Sequence, residues 1–250
     1  MSAGKPSIVF IPGGWHTPDY YDDVRGLLKE LEYETHAVHL PTVGQNLLGT
    51  PIDDAAHIQE TTRTLVDAGK DVVLVMHSYG AFPGTLSAEG LAKRDRLAQG
   101  KPGGVLALIY ISGFIAPEGK TLGEAFASFE GGAIPDWMVF EDNCSKTIGA
   151  QDILYHDSPP SQAAKFAAKL LPHSRSIYTT PLTYPGYKHV SATYILCTKD
   201  RAIPLATQKA MVAALGEGLV NTETFHSGHS PMLSMPEKVT EVILKAAGGV

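Results

Sequence analysis

The 250-residue chain is 44% apolar and 18% charged, enough apolar material for a sizeable core in one α/β unit. Its formal net charge of −6 argues against non-specific binding to nucleic acid or an anionic membrane surface, which requires a basic face. Cys144 and Cys197 fall in no Cys-x-x-Cys or Cys/His cluster, which excludes a disulfide framework and a metal site as expectations.

The first element is a buried strand, Ser7–Ile11, ending at Pro12-Gly13-Gly14. Helical apolar spacing through Val24, Leu27, Leu28 and Leu31 predicts a helix over 19–32, and a strand over 35–40 stops at Pro41. A helix over 53–67 follows, with Asp53 as its cap. Residues 71–76 (DVVLVM) are apolar on both faces, as a central parallel strand must be. A helix over 80–99 and a buried strand over 105–111 come next. Further on, strands over 192–197 and 220–225 enclose a helix over 204–215, and a helix over 236–247 closes the pattern. This alternation predicts a parallel sheet of about six strands with helices on both faces.

Residues 115–190 break the alternation. They hold Phe126, Phe129, Trp137, Tyr155 and Phe166 among many prolines and glycines, and contain no convincing buried strand. They are expected to form a mostly helical cap inserted into a core made of 1–114 and 191–250. No apolar stretch has the length of a membrane span, and residues 1–6 carry no apolar signal region. The expectation is a soluble, cytoplasmic protein acting on a small molecule, with no nucleic-acid or membrane partner; a homodimer is compatible with it.

Chemistry concentrates at three strand ends. The strand over 71–76 runs through His77-Ser78-Tyr79-Gly80 into a helix, the context of a nucleophile elbow. Gly80 supplies the small residue two after the serine, whereas Met76 stands where a second small residue is usual. Its longer side chain is expected to lie along a neighbouring strand or a cap edge. After the last strand, Gly228-His229 precedes the final helix, and Asp200 ends the strand before it. Ser78, Asp200 and His229 thus occur in the order of a hydrolase triad, in which the acid orients the imidazole and stabilises its charged form. The glycine pair after the first strand suits an oxyanion hole made by the N–H groups of Gly14 and Tyr79.

Four segments, 8–16 (IVFIPGGWH), 73–80 (VLVMHSYG), 194–204 (YILCTKDRAIP) and 228–236 (GHSPMLSMP), resemble the hydroxynitrile lyase and plant methylesterase branch of the α/β-hydrolases. The resemblance runs from near residue 7 to the C-terminus. It implies a six-stranded parallel sheet, a cap between the fourth and fifth strands, no metal or organic cofactor, and the roles given above to Ser78, Asp200, His229, Gly14 and Tyr79. In the lyases the residue after the triad histidine is typically a lysine; Ser230 stands there here.

The expected activity is hydrolysis of a small apolar or aromatic carboxylic ester or lactone through an acyl-enzyme. The alternatives are a cofactor-free lyase or decarboxylase using the same triad as general base, and a ligand receptor of the same fold. Substrate contacts are expected from His16, Trp137, Phe126, Tyr155 and Met232; the alternative for His16 is to hold its own loop by hydrogen bonds, and for the aromatic residues of 115–190 to pack the cap on the sheet.

Overall fold

The computed structural model describes residues 4–127 and 135–248, and at its centre lies a sheet in which every pairing is parallel. In chain order the strands are β1 (Ser7–Ile11), β2 (Thr35–Ala37), β3 (Asp71–His77), β4 (Gly104–Ile111), β5 (Met138–Glu141), β6 (Cys144–Thr147), β7 (His173–Ser174), β8 (Ser191–Cys197) and β9 (Asn221–Phe225). The main sheet has six strands in the order β2-β1-β3-β4-β8-β9, with β1 and β3 in register at Ile11 and Met76. Its inner strands are buried on both faces: all of β1, and Val72 to His77 of β3. Such runs of Val, Ile and Leu drive the fold, at about 1.5–3 kcal/mol for each fully buried side chain.

The helices are α1 (Asp22–Glu30), α2 (Pro51–Asp67), α3 (Ala81–Ser87), α4 (Lys93–Ala98), α5 (Leu122–Ala127), α6 (Ala150–Leu154), α7 (Pro160–Ala167), α8 (Leu205–Leu215), α9 (Pro231–Ser234) and α10 (Pro236–Ala246). Among the described residues none is long and apolar enough to cross a membrane. Several boundaries differ from the sequence expectation: the helix expected over 19–32 is α1 preceded by a 3-10 turn at Pro18–Tyr21, and the strand expected over 35–40 is the shorter β2. α2 starts at Pro51, because Thr50 caps it and Asp53 closes the capping box by accepting from Thr50 N at 2.7 Å. The stretch expected as one helix over 80–99 is two, α3 and α4, with Gly90 at φ +70° in the turn between them.

The segment between β4 and β8 carries α5, α6 and α7. It also holds a three-stranded antiparallel sheet, β5-β6-β7, that the sequence did not suggest. This insertion is anchored to the core by backbone bonds and rings. Leu171 N donates to Trp15 O at 2.9 Å and Ser174 N to Thr42 O at 2.9 Å. The ring of Phe166 meets that of Tyr20 edge-on at 5.6 Å.

Candidate active site

Ser78 sits at the turn between β3 and α3 with φ at +50°, and it is 5% exposed. A non-glycine residue held there costs of order 1–3 kcal/mol and persists only where the surroundings enforce it. Gly80 is part of that enforcement. A Cβ at this position would collide with the Pro12 carbonyl oxygen and lie 2.8 Å from Ile11 Cγ2, so only glycine lets the turn cross the end of β1. Met76 packs against α3, where a Cβ on Gly84 would collide with its Sδ and stand 2.8 Å from its Cγ. The small residue this elbow needs has moved from the strand to the helix.

Asp200 and His229 are both buried, and His229 Nδ1 lies 2.8 Å from Asp200 Oδ2. The carboxylate is saturated with donors. Oδ1 accepts from Ala202 N at 2.7 Å and Ile203 N at 2.8 Å; Oδ2 also accepts from the Ser112 hydroxyl and from Gln208 Nε2 at 3.3 Å. Gln208 further fixes the loop through Cys197 N at 2.9 Å and Ile203 O at 2.7 Å. With Asp200 as its acceptor, Nδ1 of His229 carries the proton and Nε2 is left as the basic nitrogen. Among the described residues Ser78 Oγ and His229 Nε2 are not hydrogen-bonded to each other; such contacts often tighten only when substrate is bound.

The Gly13-Gly14 turn lies against the His77-Ser78-Tyr79 turn and His173. A Cβ on Gly13 would stand 2.8 Å from His77 Nδ1 and 3.0 Å from Ser78 Cβ, and one on Gly14 would stand 2.8 Å from His173 Nδ1. Gly13 O accepts from His16 N at 3.3 Å. In a trans peptide the carbonyl and the following N–H point opposite ways, so the Gly14 N–H is turned away from that bond. Gly14 O accepts from His16 Nδ1 at 2.6 Å, which leaves His16 Nε2 to accept from the Tyr155 hydroxyl at 2.7 Å.

His16, His77 and His173 are all buried, and burial keeps them neutral: it pushes His16 and His173 down to about 3 and His77 well below the usual imidazole range. His77 donates through Nε2 to His229 O at 3.0 Å, so it supports the backbone of the residue that would act as base. Tyr79, the residue after Ser78, is held by its hydroxyl, which donates to Asp54 at 2.6 Å. Asp54 also accepts from Thr42 N at 3.0 Å and Thr42 Oγ1 at 2.6 Å, and burial raises its pKa.

The residues expected to touch substrate are distributed unevenly. His16 spends both ring nitrogens on protein partners, and Tyr155 is fully buried with its hydroxyl on His16. Both are thereby engaged in holding loops, which the sequence alone did not decide. Met232 is fully buried in α9. Trp137 packs edge-on against Trp15 at 6.0 Å. Phe126 belongs to α5, but its side chain, like the whole of Phe129, lies outside the described residues. Among the described residues no group of three His, Cys, Asp or Glu side chains is arranged to hold a metal ion.

Residues 8–242 match the model of the alpha/beta hydrolase family. The chain is 30% identical over 249 residues to the alpha/beta hydrolase nvfD of Aspergillus novofumigatus, covering 98% of this chain and 97% of that one. It is 25% identical over 261 residues to methylesterase 9 of Arabidopsis thaliana, covering 96% and 97%. Among solved structures, a pyrethroid hydrolase from Sphingobium faniae superposes with a TM-score of 0.74 at 23% identity, covering 97% of each chain. Polyneuridine aldehyde esterase superposes with a TM-score of 0.77 at 19% identity, covering 97% of this chain and 99% of that one. These two likenesses concern the fold.

Proposed function

The chain belongs to the alpha/beta hydrolase family, and from that premise we propose that it hydrolyses a small apolar or aromatic carboxylic ester or lactone through an acyl-enzyme on Ser78. The observation that carries the reading is Ser78 held at φ +50° at the carboxyl end of β3, directly after His77, whose ring lies 4.6 Å from that of His229, an imidazole whose Nδ1 is bound to a donor-saturated carboxylate. In this mechanism Ser78 Oγ attacks the carbonyl carbon while His229 Nε2 takes its proton. The N–H groups of Gly14 and Tyr79 receive the developing oxyanion. Collapse breaks the bond to the alcohol oxygen, which takes the proton back from His229. Water then attacks the acyl-enzyme, deprotonated by the same nitrogen, and Ser78 is released.

Ser230 separates this reading from cyanohydrin cleavage. It is fully buried, receives the Tyr20 hydroxyl and donates to Leu154 O at 2.7 Å, so no cation stands beside His229 at that place to assist a departing cyanide. Esterase neighbours and a hydrolase relative support the choice of esters: one curated relative is named a methylesterase and one neighbouring structure an aldehyde esterase. The preference for apolar acyl groups rests on the aromatic content of the insertion, whose Trp137 meets Trp15 of the loop after β1 edge-on.

A series of aryl esters sharing one leaving group and growing from acetyl upward tests the reading. We expect kcat/KM to rise with acyl length until the site is full, and mandelonitrile breakdown to be slow or undetectable. A flat or falling ester series would refute the apolar site, and mandelonitrile turnover as fast as the best ester would refute the choice of reaction.

A further inference from the structure

The residues at the end of α6 and just beyond it reach the loops that follow β8 and β9 and, through His16, the loop that follows β1. Asp152 O accepts from Arg201 Nη1 at 3.2 Å, next to Asp200. Leu154 O accepts from the Ser230 hydroxyl, next to His229. Tyr155 donates to His16, whose other nitrogen donates to Gly14 O. Asp157 Oδ2 accepts from Gly228 N at 2.5 Å and from the Ser234 hydroxyl at 3.0 Å, and so grips both ends of the turn that carries His229. Tyr20 closes the circuit. Its hydroxyl bonds Ser230, and its ring lies 4.2 Å from that of His16 and 6.2 Å from that of Tyr155.

We propose that residues 152–157 form a positioning strap, in which Tyr155 sets the oxyanion loop and Asp157 the His229 loop, so that the inserted segment governs the rate of acyl transfer and not substrate binding alone. The inference rests on the assignment of Ser78 as nucleophile. Three observations favour a positioning role over simple glue. The bonds run to the very loops that carry Gly14 and His229, whereas ring packing of Phe166 on Tyr20 already fastens the insertion. The Tyr155–His16–Gly14 chain has one consistent proton order, because a carbonyl can only accept; burial holds His16 neutral and so preserves that order. Gly228 is fitted to the carboxylate: a Cβ there would stand 2.5 Å from Asp157 Oδ1 and 2.7 Å from His156 Cε1.

Each variant removes one handle. Tyr155→Phe keeps the ring and deletes the donor to His16. Asp157→Ala deletes the acceptor of Gly228 N–H and Ser234, and Asp157→Asn restores an oxygen to the same place. A misplacement of about 1 Å in a reacting geometry can cost as much as ~10²-fold in rate. The test compares kcat and KM on an acetyl ester and on the longest accepted acyl ester, with Ser78→Ala as control. We expect Tyr155→Phe and Asp157→Ala to lower kcat about tenfold or more on both esters equally, with KM little changed, and Asp157→Asn to recover most of the loss. Unchanged kcat on the acetyl ester, or a loss confined to KM on the long ester, would overturn the strap and make these residues ordinary cap contacts. If Asp157→Ala does not fold, Tyr155→Phe, which loses a single oxygen, decides the question. Turnover by Ser78→Ala would instead refute the nucleophile, a failure separate from that of the strap.

Discussion

The loop that carries Asp200 and the loop that carries Gly14 are held by different means. Asp200 is fixed by hydrogen-bond saturation: two backbone N–H groups, Ser112, Gln208 and His229 converge on one carboxylate, and all of them come from the main sheet, its helices and the loops between them. Gly14 is fixed by close approach, with His173 and His77 pressed against the glycine pair, by the chain through His16 to Tyr155 of the insertion, and by the bond from Leu171 N to the neighbouring Trp15 O. A carboxylate with every lone pair engaged is held directly by the scaffold, and the insertion reaches its loop through Arg201 and not through the carboxylate itself. A glycine turn propped by an imidazole keeps its place only while the insertion stays docked. Asp200 is thus held by the main sheet and its loops, whereas the Gly14 turn also leans on the segment between β4 and β8.

The largest effect expected on the acid side is from Asp200→Asn. The amide presents a donor toward His229 Nδ1, favours the wrong tautomer, and should lower kcat by roughly 10³–10⁴ in steady-state ester hydrolysis. The matching perturbation on the other side, Gly14→Ala, places a Cβ 2.8 Å from His173 Nδ1. It should cost about 10²-fold in kcat by displacing the N–H meant for the oxyanion. Because the obstacle is a side chain, adding His173→Ala should recover part of that loss. A Gly14→Ala protein with wild-type kcat would remove the contrast between the two loops.

A third effect is on stability. Burial lowers the folded pKa values of His16 and His173 to about 3 and holds that of His77 well below the ordinary imidazole range. Their neutral forms are favoured by folding, so the stabilisation is complete above the unfolded value near 6.5 and is lost as pH falls from there toward 3. Each such histidine contributes a slope of about 1.4 kcal/mol per pH unit within that window. Chemical denaturation between pH 6 and 4 should therefore be flatter for His173→Asn than for the wild type by about one proton's slope. An unchanged slope would mean that His173 is protonated in the folded state.

The smallest expected effect concerns the elbow. Gly84→Ala should destabilise the wild-type protein by about 1–2 kcal/mol through overpacking against Met76, yet stabilise a Met76→Ala background, where helix propensity alone operates. Equal effects in the two backgrounds would show that Met76 and Gly84 do not form the exchanged small–large pair.

The sequence disclosed the inner strands of the main sheet because parallel strands buried on both faces read as unbroken apolar runs, as in VVLVM. It also singled out Ser78, Asp200 and His229, since each stands at a strand end in a fixed chain order. The sheet β5-β6-β7 escaped notice because its strands have two to four residues, and Cys144-Ser145-Lys146-Thr147 has no apolar run. The break between α3 and α4 was hidden by buried Leu91 and Ala92, which continue a helical apolar pattern through a turn.

Asp54 left a usable trace. It shares the buried stripe of α2 with Ile58, Thr62 and Leu65, where a lone carboxylate demands partners, and it has them in Thr42 and Tyr79. Thr50 left another, because Thr-Pro followed by Asp53 is the pattern of a capping box. Asp157, Ser112 and Gln208 left none. Their roles come from partners 71, 88 and 11 residues away, which the local sequence does not encode.

The central claim is that Ser78 is the atom donor of a covalent intermediate, and trapping tests it most directly. The full-length protein is incubated with a fluorophosphonate, its intact mass is measured, and the modified peptide is mapped. We predict a single adduct on the peptide containing Ser78, absent from a folded Ser78→Ala protein whose ester turnover falls by several orders of magnitude. An adduct on another residue, no adduct on an active protein, or a Ser78→Ala variant keeping more than about a tenth of wild-type turnover, a difference of only ~1.4 kcal/mol, would contradict the account.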